Sequence, residues 1–132
     1  MRVTVFGTGS WGSTMAQVLH DGGNEVLLWG RNSDVVSEIN SNHTNEKYLS
    51  GVTLPVELRA TSDLAEAFGY SQFYVLAIPA QQLRATLNEW KGYFNRDSIV
   101  VSTLKGIEVD TQLRMSEIIE EITGCSKVAV IT

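Results

Sequence analysis

Gly7-Thr8-Gly9-Ser10-Trp11-Gly12 combines residue types at a spacing that could do chemistry, and that chemistry is phosphate recognition. It follows the apolar run Val3-Thr4-Val5-Phe6, which reads as a buried strand, and it opens a segment of helical periodicity from Trp11 to Asp21. A G-x-G-x-x-G between a strand and a helix is the fingerprint of a dinucleotide-binding turn. In that reading Gly7 permits the tight turn, Gly9 lets the backbone approach a pyrophosphate, and Gly12 lets the helix pack close on the strand. The free N–H groups and positive dipole end of the helix would hold the phosphates.

Two cations could complete such a site. In an open parallel sheet the residues just after each strand converge on one edge. Gly30-Arg31-Asn32 follows the second apolar run, Pro79-Ala80-Gln81 the next buried one, and Thr103-Leu104-Lys105-Gly106 another. Arg31 stands where an Asp or Glu would hydrogen-bond the ribose 2′-hydroxyl of NAD, about 20 residues past the glycine loop. A carboxylate there would repel a 2′-phosphate, whereas a guanidinium can grip one with paired, charge-assisted hydrogen bonds. That favours NADP(H), with NAD(H) still admissible, because arginine also stacks on adenine without choosing between cofactors. A solvated surface arginine is the plainer alternative. Lys105, in Ser102-Thr103-Leu104-Lys105-Gly106-Ile107-Glu108, could hold a substrate phosphate or polarise a carbonyl, or be a solvated loop residue. Glu108 reads as its partner or as an unrelated surface charge.

The elements that must position these residues alternate short apolar runs with helical patterns, which predicts an α/β fold with a doubly wound, mostly parallel sheet and helices on both faces. Strands are expected at 2–6, 25–29, 72–78, 97–102 and 127–131, with a short one at 56–60. Helix one, ended by Gly22-Gly23-Asn24, should bury Met15, Ala16 and Leu19. Helix two, capped by Asn32 or Ser33, should bury Val35, Val36 and Ile39. Asp34 at its start complements the helix dipole. Residues 40–55 read as a polar loop anchored by Tyr48 and Leu49, and 63–68 as a short helix. A helix over 80–94 would place Leu83, Leu87, Trp90 and Phe94 on one core-facing stripe, and one over 110–122 would turn Met115, Ile118, Ile119 and Ile122 inward.

Composition narrows the function classes. The chain has 132 residues, 43% hydrophobic and 19% charged, which suits one domain with a real core. A net charge of −5 gives no basic field, so nucleic acid is an unpromising partner. No apolar run approaches membrane-spanning length, and the amino terminus has no signal-peptide pattern. With one cysteine, Cys125, no intrachain disulfide can form, which fits a reducing cytoplasm. His20 and His43 show no metal-ligand spacing and read as surface or helix-end residues.

Taken in order, Gly-Thr-Gly-Ser-Trp-Gly at 7–12, Leu28-Trp29-Gly30-Arg31, Asn45-Glu46-Lys47-Tyr48-Leu49-Ser50-Gly51, Ala77-Ile78-Pro79 and Lys105-Gly106-Ile107-Glu108 resemble the amino-terminal domain of bacterial NAD(P)-dependent glycerol-3-phosphate dehydrogenases over the whole chain. The resemblance implies a Rossmann-type domain over 1–132 and hydride transfer between NAD(P)H and dihydroxyacetone phosphate, giving sn-glycerol 3-phosphate for phospholipid synthesis. It implies cofactor contacts from Ser10, Trp11, Arg31 and Tyr48, and a Lys105 that touches both cofactor and substrate. With the fingerprint and the sheet edge, the candidate cofactor-binding residues are Gly7, Gly9, Ser10, Trp11, Gly12, Arg31, Asn32, Tyr48, Pro79 and Lys105; Lys105 is also the candidate substrate contact. No catalytic residue and no metal ligand is assigned within the chain.

In that family a Gly-Pro segment follows the last strand, and a helical second domain supplies the general-acid lysine and most substrate contacts. Thr132 follows directly on an apolar run, where a further loop or helix is expected, so the chain reads as the first domain of a longer protein; alone it should bind cofactor without turnover. Full length, the protein leaves room for a homodimer. Two other readings stay open: a different two-domain NADP reductase, of ketopantoate reductase or hydroxyacid dehydrogenase type, and a free-standing nucleotide-sensing module, whose mark would be an exposed apolar partner surface.

Overall fold

The computed structural model describes residues 1–131; Thr132 lies outside the described residues. The apolar runs and helical patterns alternate as β1 (Arg2–Phe6), α1 (Ser10–Asp21), β2 (Glu25–Trp29), α2 (Ser33–Asn42), β3 (Thr44–Asn45), β4 (Leu49–Thr53), β5 (Arg59–Thr61), α3 (Leu64–Tyr70), β6 (Phe73–Leu76), α4 (Leu83–Trp90), β7 (Ile99–Ser102), α5 (Met115–Thr123) and β8 (Lys127–Val130). Short 3₁₀ turns flank α4, at Ala80–Gln82 and Lys91–Tyr93. Six strands form one sheet in the order β5-β2-β1-β6-β7-β8, and every pairing in it is parallel. The chain leaves β1 in one direction, toward β2 and β5, and then crosses back to β6, β7 and β8 on its other side. The reversal between β1 and β6 is a topological switch point, outside which ligands bind in open α/β sheets.

The two-residue period of a strand divides the core. Phe6, Trp29, Tyr74, Leu76 and Val100 point to one face, where α3, α4 and α5 pack on them through Phe68, Leu83, Leu87, Trp90, Met115, Ile118 and Ile119. Val3, Val5, Val26, Leu28, Val75 and Val101 point to the other, under Ala16 of α1 and Val35, Val36 and Ile39 of α2. Each apolar side chain fully buried in this way contributes about 1.5–3 kcal/mol. Phe6 is the hub of the first cluster, with ring centroids 4.7 Å from Phe68, 5.2 Å from Trp90, 5.7 Å from Tyr74 and 6.0 Å from Trp29. Ala16 is buried as expected, while Met15 and Leu19 are half-buried, as are Phe94 and Ile122 at the ends of their stripes.

Three segments depart from the sequence reading. Residues 40–55 are not a loop: α2 runs on to Asn42, His43 closes it in the left-handed region with φ 58°, and β3 and β4 pair as an antiparallel hairpin. Side chains hold this hairpin. Glu38 accepts from the Thr44 hydroxyl at 2.8 Å and the Glu46 N–H at 2.9 Å. The edge strand falls at 59–61, not 56–60, and Asn40 of α2 pairs with its outer side like a neighbouring strand, donating to the Ala60 carbonyl at 2.9 Å and accepting from its N–H at 2.8 Å. The last helix starts at Met115, not Asp110: Gln112 takes φ 60°, Ile107 and Arg114 bridge, and Glu117 reaches back to the Arg114 N–H at 2.8 Å as a capping contact. Elsewhere the ends shift by a residue or more, as at β6.

Because Phe6 is wholly buried and touches every aromatic side chain of the first cluster's centre, Phe6→Ala should lower unfolding stability by about 3–5 kcal/mol. A chemical-denaturation midpoint measures this, and Phe6→Leu should cost much less.

Candidate functional site: a crevice over the switch point

The glycine loop takes its shape from a lack of space. Gly7 has φ 124°, and a Cβ there would run into the Ala77 carbonyl at the end of β6. A Cβ on Gly12 would run into the Gly7 carbonyl. The loop, the first turn of α1 and the end of β6 are therefore in backbone contact, as the tight-turn and close-packing roles require. A Cβ on Gly9 would meet nothing within 4 Å, and the backbone there, at φ −70°, is open to any residue. Gly9 faces free space, which is what backbone approach by a ligand needs. It is also the N-cap of α1 and lends no side chain, and no acidic residue stands in the first turn. The first N–H groups of a 12-residue helix thus open outward with neither cap nor counter-charge, an arrangement suited to an anion.

Over this edge of the sheet lies an open crevice of about 720 Å³. Gly7 to Gly12 line it from one side. Trp29, Arg31 and Asn32 enter from the end of β2, Ile78, Pro79, Ala80 and Gln82 follow β6, and Thr103, Leu104 and Lys105 follow β7. Tyr48 comes from the hairpin, and Thr86 and Trp90 from α4. All ten candidate residues line the crevice. Trp11 and Tyr48 are large aromatics left 51% and 42% exposed, both beside free volume. No aspartate or glutamate is among the lining residues.

The two cations differ in their company. The Arg31 guanidinium lies 5.7 Å from the Trp29 ring centroid and 3.8 Å from the Glu89 carboxylate of α4. Both partners of that ion pair are about two-thirds exposed, so the pair holds Arg31 only weakly. Lys105 makes no salt bridge among the described residues. Glu108, read from sequence as a partner for Lys105 or an unrelated surface charge, pairs instead with Arg84 at 3.0 Å. Asn32 accepts from the N–H groups of Asp34 and Val35 at 2.9 and 3.4 Å, which caps α2 and commits its side-chain oxygen.

Several contributors to the site escaped sequence reasoning. Asn45, fully buried, donates to the Thr8 carbonyl at 2.8 Å and to the Ser13 hydroxyl at 3.0 Å, tying the hairpin to the glycine loop and to α1. Gly30 leaves room for the Thr8 side chain, which a Cβ would strike. Trp90, expected as core, is wholly buried beneath the crevice, and Gln81 turns away from the crevice toward the 107–109 segment. The signal for Asn45 was present in the quoted hairpin motif, but nothing local reveals a contact 37 residues away. Cys125 is buried, its thiol directed at the Asn95 carbonyl at 3.2 Å, and both histidines sit at helix ends.

Comparison with known proteins matches this geometry. The model of the NAD-dependent glycerol-3-phosphate dehydrogenase N-terminus matches residues 2–132. The chain is 48% identical to a glycerol-3-phosphate dehydrogenase [NAD(P)+] of Corynebacterium glutamicum and 45% identical to one of Streptomyces avermitilis, in each case over 100% of this chain and 40% of the relative. The solved glycerol-3-phosphate dehydrogenase of Saccharomyces cerevisiae superposes with a TM-score of 0.88 at 31% identity, covering 98% of this chain and 41% of that one. The chain spans about 40% of the length of the curated relatives it matches. It belongs to the NAD-dependent glycerol-3-phosphate dehydrogenase family, as its amino-terminal part.

The glycines should separate by substitution. Gly12→Ala forces the helix off the Gly7 carbonyl and should cost about 1–3 kcal/mol. Gly9→Ala, with free space and an ordinary backbone, should stay within about 1 kcal/mol of the parent. Thermal denaturation of the two variants side by side reads the difference.

Proposed function

We propose that this domain of a glycerol-3-phosphate dehydrogenase binds NADP(H), accepts NAD(H) less well, and serves the interconversion of dihydroxyacetone phosphate and sn-glycerol 3-phosphate that feeds glycerophospholipid synthesis. The observation that carries the reading is the acid-free crevice: an uncapped helix N-terminus at its centre and a cation at each flank. The remaining length of the relatives would hold the helical domain that contributes the general acid and most substrate contacts. A cytoplasmic setting accords with this chemistry, and no helix among the described residues is long and apolar enough to cross a membrane. The family match over the whole chain favours this reading over a ketopantoate reductase or hydroxyacid dehydrogenase.

When bound, the nicotinamide would supply the hydride for the carbonyl carbon in one direction and would accept it in the other. The protein's task is to hold and orient. The N–H groups after Gly9 would take the pyrophosphate, where the missing Cβ allows close approach. Arg31, resting on Trp29, would grip a 2′-phosphate and give up the weak pair with Glu89 in doing so. Trp11, Tyr48 and Pro79 would shield the cofactor from water along the crevice. Lys105, which makes no salt bridge among the described residues, would present its ammonium to the substrate phosphate or to the carbonyl oxygen as negative charge develops there.

Calorimetric titration of the chain with NADPH and with NADH tests the cofactor assignment. NADPH should bind more tightly, and Arg31→Asp should erase the preference at a cost of about 1.5–3 kcal/mol toward NADPH alone. Equal affinities in the parent chain would remove the 2′-phosphate role from Arg31. Gly9→Ala should weaken both cofactors while the fold persists, and undiminished binding there would remove the pyrophosphate from the glycine loop.

A further inference from the structure

Lys105 stands at the start of a segment that regular structure does not hold. Between the end of β7 at Ser102 and the start of α5 at Met115, the backbone has one isolated bridge, Ile107 to Arg114, and Gly106 turns the chain in the left-handed region at φ 88°. A segment of this kind points a side chain reproducibly only if something ties it down. The ties converge on Glu108. Its two carboxylate oxygens each accept from Arg84 Nε at 3.0 Å, and one also accepts from the Thr111 hydroxyl at 2.6 Å. Its backbone N–H donates to the Leu113 carbonyl and its carbonyl accepts from the Gln112 N–H, both at 2.8 Å. Arg84 is anchored in turn by Glu121 of α5, at 3.4 Å. One turn before it, the Gln81 side chain donates to the Ile107 carbonyl at 3.1 Å and accepts from the Val109 N–H at 3.4 Å.

This is no ordinary surface pair. The Arg84 and Glu108 side chains are 30% and 14% exposed, whereas in every other Arg–carboxylate pair among the described residues, Arg84–Glu121 excepted, both partners are at least 39% exposed. Hydrogen bonds from Arg84 and Thr111 hold the Glu108 carboxyl below the usual carboxylate range, so it stays charged. The pair also settles where the Glu108 charge goes. Glu108 is three residues from Lys105 in sequence and would be a natural counter-ion for it; bonded to Arg84, it is not one.

We infer that Arg84 and Glu108, with Gln81, are positioning residues that fix Lys105 at the edge of the crevice and keep its charge available for an anionic substrate. The inference rests on the reading of Lys105 as a substrate contact. Arg84 sits on α4, outside the crevice wall, and its contact with the segment that carries Lys105 is the one with Glu108.

The test is a double-mutant cycle in the full-length dehydrogenase, with steady-state kinetics for dihydroxyacetone phosphate and NADPH. Arg84→Met and Glu108→Gln should each raise KM for dihydroxyacetone phosphate by roughly tenfold or more, the signature of weakened substrate binding. Arg84→Lys should recover part of the loss. Adding either substitution to Lys105→Ala should change nothing further, because both act through the same side chain. Gln81→Leu, which removes two tethers and no charge, should reproduce a smaller KM effect and covers the case in which Arg84→Met fails to fold. An equal further loss in the Lys105→Ala background would make the brace a general structural element and overturn the inference, as would an unchanged KM in folded Arg84→Met and Gln81→Leu. If Lys105→Ala itself leaves KM and kcat intact, the failure lies in the reading of Lys105, and the inference falls with it.

Discussion

Three backbones meet at one point in this molecule, and the crevice depends on it. The Ala77 carbonyl at the end of β6, the turn at Gly7 and the first turn of α1 at Gly12 lie so close that no Cβ fits between them. That contact fixes where β1 ends, how α1 leaves the sheet and how near β6 comes at the switch point. Once it is set, the loops after β1 and β6 leave the sheet side by side at the switch point, and both line the crevice. The aromatic cluster beneath, centred on Phe6, gives this backbone contact its footing, since Phe6 is the last residue of β1 and its N-terminal neighbours are equally buried. Packing free energy from the core is thereby used to hold a loop whose own residues, glycines above all, contribute little.

The hairpin is tied into the same point. Asn45 is fully buried and spends its amide on the Thr8 carbonyl and the Ser13 hydroxyl, so β3 cannot move without the glycine loop and α1. The hairpin in turn carries Tyr48 to the crevice. On the other flank the Arg84–Glu108 pair does for the segment after β7 what Asn45 does for the hairpin. Both are polar contacts between elements distant in sequence, partly or wholly shielded from water, where such bonds are expensive to break.

This explains which features the sequence made legible. The parallel strands were readable because burial on both faces demands continuous apolar runs, and the fingerprint was readable because its constraint is local: a turn, a helix start and three residues without side chains. Arg31 and Lys105 followed from the rule that strand ends converge. The hairpin was not readable. Thr44-Asn45 is too short to show a pattern, and its stability comes from Glu38, Thr8 and Ser13, none adjacent in sequence. The start of α5 was misplaced for a similar reason. Residues 110–114 have a composition that tolerates helix, but the contacts of Glu108 and the Ile107–Arg114 bridge compete for the same backbone groups and win. Glu108 carries the same lesson: proximity in sequence suggested Lys105, and the fold delivered Arg84 from 24 residues away.

The net charge shows how far composition can be trusted. A value of −5 argues against a large polyanionic partner, and it would naively argue against any anion. Yet among the described residues no Asp or Glu lines the crevice wall, to which Arg31, Lys105 and the uncapped start of α1 all contribute. A low-dielectric cleft lined with one sign of charge focuses the field within it, while the surplus carboxylates elsewhere are screened by solvent and salt over about 8–10 Å. What a small anion meets is therefore set by the groups within a Debye length of the crevice, and among these Glu89 pairs with Arg31. That pair is exposed and weak, so it does not neutralise Arg31 for good. The overall negative charge of the chain and the local charge at the crevice are thus opposite in sign.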